Sequence, residues 1–127
     1  MALFRTDSVV VSYSAVEAAK AWWIATFDCK QVNIPKDWDN PLPSDIALSL
    51  PGHDAPTILL CDAGEAKSAN ADRSSSTPII FSDKLKKARE HLSSRGVLCG
   101  PITDGGDAQF FELRDIEGHT IEICTEP

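Results

Sequence analysis

Thr120-Ile121-Glu122-Ile123-Cys124-Thr125, the last extended stretch of the chain, has an earlier echo in Thr57-Ile58-Leu59-Leu60-Cys61-Asp62. Both are runs of β-branched and aliphatic residues closing on a cysteine and a polar residue, the composition of a strand that packs into a core. The echo predicts two copies of one structural unit. It fails in one chemically important place: Glu122, a residue type able to ligate a metal or move a proton, is answered by the inert Leu59.

Reading outward, the first copy opens at Ser8-Val9-Val10-Val11-Ser12-Tyr13, a β-branched strand. Ser14-Ala15-Val16-Glu17 has the form of a capping box and predicts the start of a helix. Val16, Ala19, Trp23 and Phe27 then recur at helical spacing, with Lys20 off the stripe, so the helix should end near residue 26 or 28. Extended pieces are expected at 29–34, 45–50 and 56–61, separated by a Pro- and Asp-rich loop at 35–44 and by the Pro51-Gly52 turn. Residues 62–76 are small and polar with almost nothing apolar to bury, and are expected to form a flexible connection. The order then restarts with a strand at 77–81. A helix follows, capped by Ser82 or Asp83, with Leu85, Ala88 and Leu92 on one face and Gly96 as its stop. Strands at 97–102, 108–114 and 119–124 complete it, and Asp115-Ile116-Glu117-Gly118 supplies the last turn.

Each copy therefore reads βαβββ: module one at about 8–61, a linker at 62–76 and module two at 77–127, within a single domain. A small sheet with one helix covers only one of its faces, and two such sheets can shield the others by curving around a shared space. The expected fold class is α+β, two βαβββ modules whose curved sheets enclose a cavity.

The 127 residues suffice for one real core but not for two independent ones. A net charge of −7 argues against a nucleic-acid partner, because phosphate contacts need a basic face. No apolar stretch approaches the length that crosses a bilayer, so the chain is expected to be soluble and cytoplasmic, with no membrane partner. Cys29, Cys61, Cys99 and Cys124 lack CxxC spacing and lie in or beside apolar stretches, which reads as four reduced thiols rather than a zinc site or disulfides.

The stretch Phe110-Phe111-Glu112-Leu113-Arg114-Asp115-Ile116-Glu117-Gly118-His119-Thr120-Ile121-Glu122-Ile123 resembles the closing hairpin of the vicinal oxygen chelate superfamily: aromatic strand, Asp-x-x-Gly turn, Ile-Glu-Ile strand. That superfamily includes glyoxalase I, bleomycin-resistance proteins, fosfomycin-resistance enzymes and extradiol dioxygenases. Residues 85–97, with their Arg95-Gly96-Val97 ending, and Ala21-Trp22-Trp23 add to the resemblance, which covers nearly the whole chain from about Ser8.

In metal-using members, ligands come from the first and last strands of each module, and the resemblance carries those positions onto Ser8, Leu59, Thr77 and Glu122. Only Glu122 is a credible ligand, whereas a catalytic metal generally takes about three from the protein. His53, His91 and His119 do not repair the set and are expected at the surface. The resemblance thus points to the metal-free, bleomycin-resistance-like branch, dimers whose cavities are shared between subunits. No metal and no cofactor are expected.

Strand alternation names the lining of such a cavity. With Glu122 pointing inward, Thr120 and Cys124 do too, while Ile121 and Ile123 pack under a helix; the same parity brings in Ser8, Val10, Ser12, Thr57, Leu59, Cys61, Thr77, Ile79 and Phe81. Trp38 sits in the polar run Pro35-Lys36-Asp37-Trp38-Asp39-Asn40, where a large aromatic suggests a lid over ligand. Of the adjacent Trp22 and Trp23, about 100° apart on the helix, Trp23 is expected in the core and Trp22 is left to reach toward an interface or the cavity mouth. Glu122 is the candidate catalytic base or cation partner; its blander alternative is a carboxylate at the wet mouth of the cleft.

Three functions fit these residues. The first is metal-free binding or sequestration of a small, largely apolar molecule by a homodimer. The second is a glyoxalase-like lyase or isomerase, or a dioxygenase-type enzyme, using Glu122 as base or metal ligand. The third is a protein-interaction module. Fold alone does not choose among them.

Overall fold

The computed structural model describes residues 3–36, 38, 40–52, 56–71 and 77–125; His53 lies outside them. In chain order the elements are β1 (Val9–Tyr13), α1 (Val16–Phe27), β2 (Lys30–Val32), β3 (Ile46–Ser49), β4 (Ile58–Asp62), α2 (Ala63–Ser68), β5 (Ile79–Phe81), α3 (Leu85–Ser94), β6 (Thr103–Asp104), β7 (Gln109–Arg114) and β8 (Thr120–Cys124). The strands form two four-stranded sheets of identical topology, β1-β4-β3-β2 and β5-β8-β7-β6. In each, the first strand pairs in parallel with the last and the remaining pairs are antiparallel. The duplicated order confirms two βαβββ units of one α+β fold.

Each helix lies on one face of its own sheet. Val16, Ala19, Trp23 and Phe27 of α1 are buried as their spacing predicts, against a sheet face that includes Val11, Leu48, Ile58 and Leu60. Leu85, Ala88 and Leu92 of α3 do the same over Ile80, Phe111, Leu113, Ile121 and Ile123. All belong to one continuous core, and each such aliphatic side chain contributes roughly 1.5–3 kcal/mol by leaving water. Trp23 is fully buried, and Trp22 packs edge-on against it at 5.5 Å and against Phe27 at 6.0 Å. Trp22, expected to reach toward an interface or the cavity mouth, instead packs with Trp23 against the core from the helix side.

The modules are joined by polar contacts as well as apolar ones. Tyr13 Oη donates to Asp115 Oδ2 at 2.6 Å and accepts from Trp23 Nε1 at 2.9 Å. His119 Nδ1 lies 3.0 Å from the same carboxylate oxygen, and Asp115 Oδ1 accepts the backbone N–H groups of Glu117 and His119. On the far side, Arg95 grips both carboxylate oxygens of Asp28 at 2.7 and 2.9 Å and donates to the Ala25 carbonyl at 2.8 Å. Phe4 meets Phe27 edge-on at 5.1 Å.

Five local expectations are corrected. The capping box does not form: the N-cap of α1 is Ala15, and Glu117 of the second module accepts from Ser14 N, Ser14 Oγ and Ala15 N, each at 2.9 Å. A carboxylate three residues into the helix lost to one delivered from outside, which satisfies more donors. The connection contains helix α2, because Asp62 caps it by accepting from Glu65 N, and the Glu65 carboxylate holds Ser44 N and Oγ at 2.9 Å; residues 72–76 lie outside the description. The strand expected at 97–102 does not form beyond a lone Cys99 bridge to Leu113, and the edge strand β6 lies just past it. His119 is half-buried against Tyr13, ring centres 5.0 Å apart, and not a free surface group. Ser82 shapes the turn before α3 by accepting from Lys84 N, the N-cap residue being Lys84. Gly96 ends that helix with φ +85°, where a side chain would be strained.

Candidate ligand-binding site

The parity that buries Leu48, Ile58 and Leu60 under α1 turns Ala47, Ser49, Leu59 and Cys61 to the opposite, inner face of the first sheet. Register sets Val10, Leu59, Ala47 and Val32 in one row across that face. The inner face is closed in this module: Ala47 and Leu59 are each 2% exposed, and Ser49 and Cys61 are fully buried. Trp38 stands over it, held back by a turn in which its N–H donates to the Pro35 carbonyl at 3.0 Å. Between the Trp38 side chain and the strands is a cavity of about 10 Å³, lined also by Ser8, Pro56, Thr57 and Leu59. That is room for one water.

The second sheet is different. Thr77, Ile79, Phe81, Thr120 and Glu122 lie on its inner face, alternating with buried Ile80, Ile121 and Ile123, and remain half-buried or exposed. Ile79 is 43% exposed. Glu122 pairs directly with Ile79 on one side and Glu112 on the other, so two carboxylates face solvent side by side. The Arg5 guanidinium rests 5.1 Å above the Phe81 ring. Burial, followed by the Glu122 charge, pushes the Cys124 thiol up.

The expected site residues thus fall into two groups. Ser8, Val10, Ser12, Trp38 and Leu59 belong to the first sheet, and Ser8, Trp38 and Leu59 meet at one cavity. Thr77, Ile79, Phe81, Thr120 and Glu122 belong to the second. Arg5 pairs with Phe81, Thr6 Oγ1 donates to the Ile79 carbonyl at 2.7 Å, and the chain then enters β1, so a short segment links the groups. Ser49, Lys30 and Glu112 were missed by sequence reasoning. Alternation within 46–49 was the signal available for Ser49; for Glu112, only cross-strand register reveals its partner. A wider groove of about 470 Å³ opens on the α1 side, lined by Glu17, Gln31, Asp45 and Asp62 among others, and holds none of the expected site residues.

No protein-family model and no curated protein matches this sequence. Solved structures do. The chain is similar to TnmS3, an antibiotic binding protein from Streptomyces sp. CB03234, at 18% identity over 100% of this chain and 99% of that one, with a TM-score of 0.69. It is also similar to a glyoxalase/bleomycin resistance protein/dioxygenase from Nocardioides, at 13% identity over 95% of this chain and 82% of that one, TM-score 0.66. The chain has the vicinal oxygen chelate fold. A lactoylglutathione lyase from Agrobacterium tumefaciens shares it at 12% identity, 95% and 92% coverage and a TM-score of 0.70.

A metal of the kind used elsewhere in the vicinal oxygen chelate fold does not fit these residues. The four positions implied for its ligands hold one carboxylate, two hydroxyls and the leucine Leu59. Among the described residues no group of three His, Cys, Asp or Glu side chains could hold an ion. Glu112 adds a second carboxylate beside Glu122 but no third donor. Among those residues, too, no helix is long and apolar enough to cross a membrane.

Proposed function

We propose that this protein binds and sequesters a small, largely apolar molecule on the inner faces of its βαβββ sheets, without a metal and as a homodimer. The observation that carries the reading is the cavity that Trp38 and Leu59 line together with Ser8 and Thr57. An apolar slot with a few polar groups is the usual chemistry of a small-molecule site. The fold it shares with an antibiotic binding protein supports the reading, and so does a donor set that lacks the three ligands of a catalytic ion.

The test is native mass spectrometry of protein purified without chelator, combined with elemental analysis. A retained organic molecule near one per chain, and zinc, nickel, iron and manganese each far below one, are expected. A stoichiometric transition metal would overturn the proposal and favour the enzyme reading.

A further inference from the structure

One row of the first sheet's inner face carries polar groups that the fold itself does not use. Extending the printed register by one residue sets Ser8 beside Thr57 and Thr57 opposite Ser49, and Ser49 pairs with Lys30. Ser49 is fully buried, and neither its Oγ nor the buried Thr57 Oγ1 has a hydrogen-bond partner among the described residues. A buried hydroxyl left in this state costs stability, and alanine or valine would occupy the same strand positions without that cost. The two hydroxyls belong to facing residues of one strand pair, and Thr57 lines the cavity that Trp38 and Leu59 also line. Lys30, exposed at the end of the row, has donors only.

We propose that this row recognises the carboxylate edge of a flat aromatic acid, whose ring lies between Trp38 and Leu59. The hydroxyls of Thr57 and Ser49 donate to the carboxylate oxygens, and the Lys30 ammonium supplies the opposite charge at the rim. The cavity of about 10 Å³ admits a ring only as the Trp38 side chain moves outward, so entry is coupled to movement of that residue. The inference rests on the small-molecule reading above and adds the ligand's class.

Calorimetric titration of the full chain with 2-naphthoate and with 2-methylnaphthalene tests it, since the probes share a ring system and differ in the charged edge. Wild type should bind 2-naphthoate at least about tenfold more tightly, as expected when hydrogen bonds to a charged group are made. Thr57→Val and Ser49→Ala should each remove most of that preference, read as the ratio of the two affinities, and a cooperative thermal transition shows the variants to be folded. Each should raise the unfolding midpoint of the ligand-free chain, because an unpartnered buried hydroxyl has gone. Equal affinities in wild type, or a preference intact in both variants, would overturn the assignment and leave the broader binding reading standing. Binding of neither probe would also overturn it, and the broader reading would then be decided separately by the native mass spectrum.

Discussion

Tyr13 shows how burial constrains a single polar side chain. Its ring is fully buried and its hydroxyl has both an acceptor, Asp115, and a donor, Trp23. Burial, then the hydrogen bond to Asp115, pushes its ionisation far above the ordinary phenol range. Cys29 follows the same logic: burial, then the Asp28 charge, pushes its thiol up to about 12. A group with a raised folded pKa stabilises fully below its unfolded value and loses that contribution as pH rises toward the folded one. Stability should therefore fall from about pH 9 upward, and Cys29→Ala should flatten the part of that decline up to about 12, read by urea denaturation at a series of pH values. Tyr13→Phe leaves Trp23 Nε1 without its acceptor and Asp115 short of a donor, a loss of roughly 1–3 kcal/mol in the same assay at pH 7. Trp38→Ala should weaken binding of a planar aromatic ligand by about tenfold without lowering the unfolding midpoint, since a stacked indole contributes on the order of 1 kcal/mol beyond its area.

At the level of elements, the start of α1 is the instructive case. The N–H groups of Ser14 and Ala15, which lead the chain into α1, are met by Glu117, delivered by the turn between β7 and β8. Burial alone would raise this carboxyl; the backbone donors of Ser14 and Ala15, the Ser14 hydroxyl and the nearby His119 together hold it below the usual carboxylate range. Asp28 is lowered chiefly by the Arg95 hydrogen bonds, against some desolvation, with further help from the Arg95 and His91 charges. Depressed pKa values contribute stability above the unfolded value, which is lost as pH falls through the folded one. Acid weakening should therefore set in below about pH 4, and both contributions are reduced by exposure to solvent. Glu117→Gln should cost about 0.5–2 kcal/mol at pH 7, the range for losing a helix cap, and should flatten the acid limb of a denaturation series. Equal loss at pH 3 and pH 7 would show that the carboxylate charge is irrelevant. The sequence announced a helix start here and named the wrong glutamate, because a local capping box and a distant turn look alike until the chain is folded.

Across the whole molecule, the two duplicated sheets have reached different states. The first is buried on both faces along β3 and β4, while the second exposes an alternating face with Ile79, Phe81 and Phe110 among Glu112, Arg114 and Glu122. Exposed aliphatic and aromatic side chains on one sheet face are the kind of surface a second copy covers. Sedimentation at micromolar concentration should give about twice the 13.8 kDa chain mass. Ile79→Glu should shift the population to monomer, since a third carboxylate beside Glu122 and Glu112 would be buried by dimerisation. A wild-type monomer would remove the second copy from the proposed function.

What the sequence determined by itself is the periodic part of this protein. Period-two and period-3.6 burial fixed every strand but the one expected at 97–102, the faces of α1 and α3, and the duplication, because those signals are local and repeat along the chain. Gly96 and Gly118 marked chain reversals for the same reason, their φ values of +85° and +84° being costly for other residues. Parity also assigned Leu59 and Glu122 to the inner faces. It could not say that the Leu59 face would be closed while the Glu122 face stayed open, because that depends on tertiary packing, in which Trp38 comes to lie beside Leu59. Nor could it pair Tyr13 with Asp115, Ser14 with Glu117 or Glu112 with Glu122: these partners lie far apart in sequence and meet only through sheet register and the docking of one module on the other.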